Sequence, residues 1–382
     1  MRTAIVHDWL LGMRGGERCL SVIAGMFPDA DIYTLFYAPE EISSEIRAHK
    51  ILVSCLQSVP AAKSIYRYLL PFYAFGVRDL ERKISRGQYD LLISISHCVA
   101  KNVNVQPPTF HLCYCLTPAR YLWDQYQVYF GRRKLEPLIR MIALPLRRAD
   151  LRGVAGVGHF VAISDFVKHR IHSVYGRAAD VVYPPVRTDW IKPRNKLDAG
   201  TGFLAVNALV PYKNTQIIVE AFNLLKLPLT VVGRGPEEKA LKSIARGNIR
   251  FVGAVTDQEL ARLYSSAKAL IFAAEEDFGM VPVEVQAAGR PVICYGRGGV
   301  LETVSAERTD PTGMLFSELS VAGLVEAVQN FMVRQADFTV DNCIKQAGKF
   351  SVQCFRDGLD AVLRSQGVIK DDPSVHGIQR HG

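Results

Sequence analysis

The sequence predicts an α/β protein made of two doubly wound domains, and three observations support this class. The chain has 382 residues, which is enough for two domains of about 100–200 residues each. Both halves alternate short apolar segments with longer helical patterns, as is typical of parallel strands joined by helices. Between the halves, residues 187–201 are polar and rich in residues that break helices and strands, so they predict a linker.

The first half predicts buried strands at residues 3–6, 91–95, 110–113 and 160–163. It also predicts helices at residues 18–26 and 166–175, and the proline pair of VVYPPV then ends regular structure. In the second half, strands are predicted at residues 203–206, 229–232, 249–252, 270–273 and 292–294. Helices are predicted at residues 213–225, 236–245, 257–266 and 281–288, with a further helix from Val300.

These elements divide the chain into domains 1–188 and 202–349, joined by the linker 189–201. A helix over residues 350–366 is expected to pack back toward the first domain, and the polar tail 367–382 is expected to be disordered. Ligands of doubly wound domains bind at the carboxyl ends of the strands. We therefore expect a site in a central cleft that the two domains face.

Composition excludes several classes of protein. A chain that is 49% hydrophobic and 9% aromatic can bury a large core, so it is not disordered. Its eight cysteines include one C-x-C and no C-x-x-C, which argues against a disulfide scaffold and a zinc ribbon. The chain start lacks a signal-peptide pattern, and the longest apolar run, residues 68–77, is about half of the ~20 residues that span a bilayer. We expect a cytoplasmic protein, soluble or peripheral.

Most of the formal charge of +9 lies in the first half, where residues 1–190 carry 24 Lys and Arg against 16 Asp and Glu. The excess is concentrated in residues 63–86 and 132–152, which mix basic with large apolar side chains. This mixture suits an anionic membrane surface, and amphipathic helices with solvated basic faces explain it equally well. No nucleic-acid-binding motif is present, so nucleic acid is not an expected partner. The predicted membrane-surface residues are Arg67, Arg78, Arg82, Lys83, Arg132, Arg133, Arg147 and Arg148.

A glycine turn, DWLLGMRGGE, begins at Asp8 directly after the first predicted strand. Gly15 and Gly16 permit close backbone approach, and the start of the following helix offers free N–H groups to an anion. The pair is also explained as a tight strand-to-helix turn with no ligand. Its spacing differs from the dinucleotide fingerprint G-x-G-x-x-G, which argues against a nicotinamide oxidoreductase.

An acidic loop, EEDFGMVPVE, joins a predicted strand to a predicted helix at residues 275–284. Glu276 lies in the loop, and Glu284 lies about one turn into the helix. The first amides of that helix form its positive end, which suits a phosphate or a sugar hydroxyl. Carboxylates bind the hydroxyls of a sugar and a ribose by charge-assisted hydrogen bonds. The loop therefore indicates a binding site for such groups.

With these residues the chain resembles the retaining GT-B glycosyltransferases of family four. The E-x7-E pair of Glu276 and Glu284, the turn GMRGGE and the segment NALVPYKN occur in the family's order. The segments VVYPPV, VVGRGP, FVGAV and GRGGVLETV follow that order too, so the resemblance covers essentially the whole chain. The segment CYCLTPARYLWDQY is similar to the bacterial branch of mannosyltransferases that builds O-antigen and exopolysaccharide repeat units.

The resemblance implies residue roles. Glu276 contacts the transferred sugar, Glu284 holds the nucleotide ribose, and Lys213 neutralises the donor diphosphate, which the glycine turn meets from the first domain. The implied donor-binding residues are Gly15, Gly16, Lys213, Gly233, Arg234, Val252, Gly253, Glu276, Phe278, Gly279, Met280, Val281 and Glu284. No DxD-like donor site is present, so neither a metal nor another cofactor is expected.

Two positions depart from the family pattern. Ala208 stands where an arginine usually precedes the motif lysine by five residues, and Arg234 is the candidate substitute for that charge. Leu116 stands where relatives with this segment carry a histidine that is thought to stabilise the sugar in the transition state. His97 and His111 are the candidate replacements for that histidine.

The sequence thus favours a retaining hexosyltransferase that moves mannose from GDP-mannose to a lipid-linked glycan acceptor in bacterial surface polysaccharide synthesis. The expected catalytic residues are Glu276, Lys213, His97 and Asp8, and Asp8 either receives the acceptor proton or only caps the glycine turn. A UDP-sugar-dependent glucosyl- or galactosyltransferase is one alternative. A non-catalytic protein that binds a nucleotide sugar or a glycan is another. We expect a peripheral protein on the inner face of the plasma membrane, with no prediction for its oligomeric state.

Overall fold

The computed structural model describes residues 1–123, 136–191, 193, 200 and 202–369, with side chains described outside 136–142. The chain forms two compact units. One comprises Met1–Ile163, Val167–Tyr183 and the described part of Gln353–Gly382, and the other comprises Ser164–Phe166 and Pro184–Val352. Most of the predicted linker and nearly all of the predicted tail lie outside the described residues.

The first unit contains a parallel sheet with seven strands among its described residues, in the order β3-β2-β1-β4-β5-β6-β7. The strands are β1 (Thr3–His7), β2 (Asp31–Thr34), β3 (Ile51–Val53), β4 (Leu91–Ser96), β5 (Phe110–Cys115), β6 (His159–Ala162) and β7 (Ala179–Val181). The four predicted strands are confirmed to within two residues at their ends. The prediction misses β2, β3 and β7, because three or four residues are too few to show a period.

The helices described in and beside this sheet are α1 (Gly15–Met26), α2 (Ser44–Arg47), α3 (Ala62–Ile65), α4 (Tyr73–Ser85), α5 (Glu136–Gly153) and α6 (Asp165–Tyr175). Helix α1 begins three residues before its predicted start. The Glu17 carboxylate explains this early start, because it accepts the backbone N–H of Arg14 at 3.0 Å and so caps the first turn. The glycine pair therefore lies in the first turn of the helix.

The second unit contains a six-stranded parallel sheet among its described residues, in the order β10-β9-β8-β11-β12-β13. Its strands are β8 (Phe203–Val206), β9 (Leu229–Val232), β10 (Ile249–Gly253), β11 (Leu270–Phe272), β12 (Val292–Tyr295) and β13 (Gly313–Phe316). Only β13 is missed by the prediction. The helices from here to the end of the described chain are α7 (Thr215–Leu225), α8 (Glu238–Ile244), α9 (Asp257–Ser266), α10 (Met280–Ala287), α11 (Val300–Thr303), α12 (Val321–Val333), α13 (Val340–Gly348) and α14 (Val352–Ser365).

The predicted start of the helix at Lys213 is wrong. Lys213 ends a 3-10 turn, Pro211–Lys213, and Asn214 adopts the left-handed conformation with φ of 53°. Pro211 fixes its own φ and lacks an N–H group, which favours a turn before the helix begins at Thr215. Lys213 therefore lies on a loop, and its position gives no evidence of a charge placed against a helix dipole.

Both sheets confirm the predicted class of two doubly wound α/β domains. In each sheet the strand order reverses once, between β1 and β4 in the first unit and between β8 and β11 in the second. Ligands of such domains bind outside the carboxyl ends of the strands at this switch point. The loops that leave these four strands are therefore the places to look for a site.

Helix α14 packs within the first unit from Gln353 onward. Its Phe355 ring lies edge-on to the Tyr114 ring of β5, with 5.4 Å between the ring centroids. Within the described part of the chain, we find no helix whose length and apolar character would let it cross a bilayer.

Candidate functional site

The switch point of the second unit brings a lysine and a glutamate together. Lys213 follows β8 and Glu276 follows β11, and the Lys213 ammonium forms an ion pair with the Glu276 carboxylate. The two side chains are 15% and 22% exposed, so the pair is accessible to a ligand at the edge of the sheet. The Lys213 ammonium also lies 6.0 Å from the centre of the Phe272 ring. A cation and a carboxylate thus meet where a doubly wound domain binds its ligand.

Two glycines of the GRGGVLETV segment hold the loop that carries Glu276. Gly298 pairs with Glu276 as an isolated bridge, and the Gly299 N–H donates to the Glu276 carbonyl at 2.8 Å. A Cβ at Gly298 would lie 2.4 Å from that carbonyl, and one at Gly299 would lie 2.4 Å from the Asp277 carbonyl. Only glycine permits this approach, since real Cβ atoms do not come so close. This segment therefore fixes the position of Glu276.

Glu284 lies on α10, one turn after the helix starts. It is buried, and its carboxylate accepts a hydrogen bond from the Tyr264 hydroxyl at 2.7 Å. Helix α10 begins at Met280 after Gly279, whose φ of 94° suits glycine alone. The first amides of α10, those of Met280 and Val281, point toward the N-terminal end of the helix, where they can meet an anion. Sequence reasoning missed Tyr264, which belongs to no motif.

Phe278 makes a different contribution from the one implied. Its ring is buried and packs edge-on against Phe350, with ring centroids 5.4 Å apart. The side chain thus stabilises the core beneath the acidic loop. A ligand at this loop would meet the backbone of Phe278 and not its ring.

Turns from β8, β9 and β10 meet beside the Lys213 loop. Gly233 follows β9 and has a φ of 129°. A Cβ there would lie 1.8 Å from the carbonyl of Asn207, which follows β8, so the two turns are in direct backbone contact. Arg234 is exposed and lies beside Gly253. A Cβ at Gly253 would lie 3.5 Å from Nε of Arg234. The Leu209 N–H donates to the Arg234 carbonyl at 2.9 Å. Arg234 thus lies next to the segment in which Ala208 replaces the family arginine.

Two further residues belong to these turns. Val252, at the end of β10, is half-buried. The Asn207 side chain is 7% exposed, and its amide nitrogen and oxygen have no hydrogen-bond partner among the described residues.

In the first unit, the side chains of Leu116 and His7 pack against the glycine turn. A Cβ on Gly16 would lie 2.8 Å from a Leu116 methyl carbon and 3.2 Å from the His7 ring. The Glu17 carboxylate links the same turn to β1, because its second oxygen lies 3.6 Å from Nε2 of His7. Leu116 thus fills the space beneath Gly16. A larger residue at position 16 or at position 116 would need that same space.

His7 is a residue that the sequence reasoning did not select. Its Nδ1 lies 3.1 Å from the Ile95 carbonyl, and its Nε2 lies 3.6 Å from the Glu17 carboxylate, with no hydrogen-bond partner among the described residues. Burial by itself lowers the pKa of His7, but the nearby Glu17 carboxylate, together with the charge of Asp8, raises it overall.

Asp8 is fully buried, and its carboxylate accepts hydrogen bonds from the backbone N–H groups of the turn that follows β4. Oδ2 accepts the N–H groups of His97 and Cys98 at 2.7 and 2.9 Å, and Oδ1 accepts those of Val99 and Ala100, both at 2.7 Å. Burial alone would raise the pKa of Asp8, but His97, His7 and these amides lower it. With its oxygens so engaged, Asp8 positions the turn and is poorly placed to receive a proton from an acceptor.

His97 and His111 occupy different environments. His97 stands on the turn after β4, with Nδ1 3.1 Å from Asp8 and a third of its side chain exposed. His111 lies within β5, is buried, and has Nε2 2.8 Å from the Ser94 hydroxyl. Burial lowers the pKa of His111 to about 3, so it stays neutral and structural. The structure therefore excludes His111 as the replacement for the family histidine and leaves His97.

The predicted membrane-surface residues divide into three groups. Arg67, Arg78 and Arg82 are exposed on the 3-10 helix Tyr66–Phe72 and on α4, and Arg148 is exposed on α5. Lys83 and Arg147 are partly buried and engaged in the fold, with Lys83 paired to Asp79 at 2.8 Å and Arg147 donating to the Leu122 carbonyl at 2.5 Å. Each of these two long side chains folds back onto its own unit. Arg132 and Arg133 lie outside the described residues.

An aromatic-basic patch accompanies the exposed arginines. It consists of Arg67, Tyr68, Phe72, Phe75 and Arg78, and its three aromatic side chains are between half and five-sixths exposed. The rings recur at a spacing of four and three residues, which places them on one side of this helical segment. Exposed rings of this size flanked by guanidinium groups indicate an interaction surface.

Comparison with known proteins gives a family and a fold. Residues 186–350 match the family model described as glycosyl transferases group 1. A GDP-mannose-dependent alpha-(1-6)-phosphatidylinositol monomannoside mannosyltransferase of Mycobacterium tuberculosis is 27% identical over 221 residues, covering 50% of this chain and 57% of the relative. The O-antigen chain mannosyltransferase RfbU of Salmonella typhimurium is 30% identical over 152 residues, covering 35% of this chain and 41% of the relative. The chain thus spans about half the length of the curated relatives it matches.

A solved structure matches over nearly the full length. HepE of Anabaena in complex with UDP superposes with a TM-score of 0.71, at 15% identity, over 96% of this chain and 100% of that protein. This likeness confirms the predicted GT-B fold.

Proposed function

We propose that the chain, whose residues 186–350 match the group 1 glycosyltransferase model, moves a hexose from a nucleotide sugar to a lipid-linked glycan acceptor. The observation that carries the proposal is the Lys213–Glu276 pair at the switch point of the second sheet, beside the start of α10. The proposed donor is GDP-mannose, and the anomeric configuration is retained. The product is a glycan of bacterial surface polysaccharide synthesis.

The charges at the second switch point suit the leaving group of this reaction. When the bond between the sugar and the diphosphate breaks, its electron pair goes to the diphosphate, and nearby positive groups lower the barrier. We assign this task to Lys213, to Arg234 and to the first amides of α10. Glu276 then contacts hydroxyls of the hexose. Since these groups supply the positive charge, we expect chelation of divalent metals to leave the activity unchanged.

Glu284 suits the ribose of the nucleotide. Its burial and the hydrogen bond from Tyr264 restrict the carboxylate to one orientation. A fixed carboxylate binds vicinal hydroxyls well, because both hydroxyls can donate to it. We also assign a phosphate-binding role to the amides of the glycine turn at Gly15 and Gly16.

The choice of GDP as the nucleotide and mannose as the sugar rests on the relatives that this chain resembles. Two mannosyltransferases, one of them GDP-mannose-dependent by name, are 27% and 30% identical to this chain. The alternative is a UDP-sugar-dependent glucosyl- or galactosyltransferase, which the solved HepE complex with UDP favours. A non-catalytic protein is the second alternative, which Ala208 and Leu116 favour as departures from the family pattern.

A screen of nucleotide sugars tests the proposal. Purified protein is incubated with GDP-mannose, UDP-glucose or UDP-galactose, with and without a bacterial lipid fraction, and the released nucleotide is measured. We expect GDP release that depends on the lipid fraction, a product with the anomeric configuration of the donor, and stronger thermal protection by GDP than by UDP. Release of UDP alone would establish the first alternative. Binding with no release from any donor would establish the second.

We also propose that the aromatic-basic patch binds an anionic membrane, where a lipid-linked acceptor resides. Arginines near an anionic surface each add about 1 kcal/mol, and the exposed rings bury in the interface. The variant Phe72→Ser/Phe75→Ser should lose most binding to vesicles rich in anionic lipid, and binding by the unaltered protein should weaken as salt rises. Leu224→Ser, at an exposed leucine of the second unit, is the matched control. Equal binding by all three proteins would exclude the patch.

A further inference from the structure

The turn that follows β4 presents one histidine nitrogen without a partner. His97 places Nδ1 3.1 Å from the buried Asp8 carboxylate. Among the described residues, Nε2 of His97 has no hydrogen-bond partner, and a third of the side chain is exposed. His97 therefore stands at the carboxyl end of the first sheet with part of its side chain exposed.

The turn is held from two sides. Asp8 accepts four consecutive backbone N–H groups, from His97 to Ala100, at 2.7–2.9 Å. On the other side, the buried Lys101 ammonium donates to the Cys98 carbonyl and lies 2.9 Å from Asp150. The hydroxyl of Tyr175 and the indole N–H of Trp123 fix Asp150, at 2.8 and 2.9 Å. A turn anchored in this way holds the His97 ring in one place, as a substrate-binding group requires.

The proton on the ring is assigned by its surroundings. Nδ1 lies 3.1 Å from a carboxylate, which favours the hydrogen on Nδ1, and Nε2 is then an acceptor. Burial lowers the pKa of His97, Asp8 and Glu17 raise it, and His7 and Lys101 lower it, with a net value below the ordinary one. A lowered pKa favours the uncharged ring, in which Nε2 keeps its lone pair.

The other histidines near this end of the sheet do not offer such an acceptor. His7 is 1% exposed, so a ligand cannot reach its ring, and its Nδ1 lies 3.1 Å from the Ile95 carbonyl. His111 is buried within β5, with Nε2 beside Ser94. Leu116 follows β5, and its N–H donates to the Ser96 carbonyl at 2.9 Å, so an aliphatic side chain stands beside the His97 turn. His97 is the histidine that can receive a hydrogen bond here.

We infer that Nε2 of His97 accepts a hydrogen bond from a carbohydrate hydroxyl, with Asp8 as the residue that positions the ring. The inference rests on the proposed function, in which both the donor hexose and the glycan acceptor carry hydroxyls. The hydroxyl belongs to one of these two, and the experiment below distinguishes them. In this assignment no proton is transferred, since the hydrogen stays on its oxygen.

The test compares His97→Ala with His97→Gln, whose amide oxygen can reach the position of Nε2. His172→Ala, at an exposed histidine of α6, is the matched control. GDP release from GDP-mannose is measured with a lipid acceptor and, as slow hydrolysis, without one. Thermal protection by GDP reports whether each variant folds and binds the nucleotide.

We expect His97→Ala to lower transfer about tenfold to a hundredfold, His97→Gln to recover part of it, and the control to be unchanged. In the unaltered enzyme, transfer should fall at acid pH as Nε2 becomes protonated, below the ordinary histidine range. His97→Gln should lack this decline. A loss in both transfer and hydrolysis places the hydroxyl on the donor hexose, whereas a loss in transfer alone places it on the acceptor.

The inference is wrong if His97→Ala keeps normal rates and a normal pH profile while Glu276→Gln is inactive, a result that leaves the proposed function intact. It is also wrong if His97→Gln is as impaired as His97→Ala and retains the acid decline. If the unaltered protein turns over no nucleotide sugar, the proposed function fails and the inference with it.

Discussion

The two sheets share one kind of switch point, but the side chains at the two switch points differ in chemical character. In the second unit, β8 and β11 end in an ionised pair, Lys213 and Glu276, that is partly exposed. In the first unit, β1 and β4 end in Asp8 and His97, where the carboxylate is buried and only the neutral ring reaches the surface. The second unit presents charge to a ligand, and the first unit uses charge to fix a neutral group.

This difference fits the two halves of a transfer reaction. A departing diphosphate gains negative charge and needs mobile or exposed cations nearby, whereas a sugar hydroxyl stays neutral and needs an acceptor in a fixed place. The comparison therefore predicts that variants in the second unit impair catalysis with little effect on folding. Variants of the buried groups in the first unit should impair folding as well.

The largest expected effect on activity is that of Lys213→Ala. Removal of the cation leaves the Glu276 carboxylate without its partner and the developing charge on the diphosphate less stabilised. We expect kcat to fall about a hundredfold to a thousandfold, with a nearly unchanged melting temperature. GDP release and thermal unfolding measure the two quantities, and Lys239→Ala, at an exposed lysine of α8, is the control. A fall of less than threefold would contradict the assignment.

Asp8→Asn should have the largest effect on stability. The amide NH2 of asparagine would face backbone N–H groups, so we expect a loss of about 3 kcal/mol in the free energy of unfolding. Because the pKa of Asp8 is lowered in the fold, its contribution is present above the ordinary aspartate pKa and is lost as pH falls through the folded value. Urea unfolding at neutral and acid pH, with exposed Asp29→Asn as control, measures this. Equal stability of variant and parent at neutral pH would refute it.

Arg234→Ala should have a smaller effect on activity. The guanidinium is exposed and lies beside Gly253, so it can approach a phosphate only from the edge of the site. We expect about a tenfold rise in the KM for the donor and a smaller change in kcat, because the charge assists binding more than bond cleavage. Steady-state kinetics with Arg250→Ala as the exposed control measure this effect. If KM is unchanged, Arg234 does not substitute for the arginine absent at Ala208.

The smallest expected effect is that of His7→Gln on stability. Its raised pKa means that the His7–Glu17 interaction is fully present below the ordinary histidine pKa and is lost as pH rises through the folded value. We expect the variant to be less stable by about 1–2 kcal/mol near pH 6, and by less near pH 9. Urea midpoints at both pH values measure the difference. A deficit that grows with pH would show that His7 is neutral in the fold.

The sequence predicted the second switch point better than the first. Glu276, Glu284 and the glycines around them lie within one continuous segment, so their spacing carries the information. Lys213 was placed correctly after a strand, although its helix was not, because the 3-10 turn at Pro211 and the left-handed Asn214 depend on local backbone geometry.

The first switch point depends on contacts between distant residues. The carboxylate of Asp8 accepts hydrogen bonds from amides that lie 89 to 92 positions further along the chain. No periodicity reports such pairs, so the sequence leaves Asp8 as a proton acceptor or a cap of the glycine turn, and His111 as an alternative to His97. The hydrogen bond from Tyr264 to Glu284 and the role of His7 were missed for the same reason.

The most direct test of the account is the GDP-mannose transfer rate of Glu276→Gln, with Glu318→Gln as an exposed control in the same unit. We expect Glu276→Gln to lose at least about a hundredfold in transfer, while GDP still protects it from thermal unfolding and the control is unaffected. Transfer by Glu276→Gln at the rate of the unaltered protein would contradict the assignment of the second switch point as the site of sugar transfer.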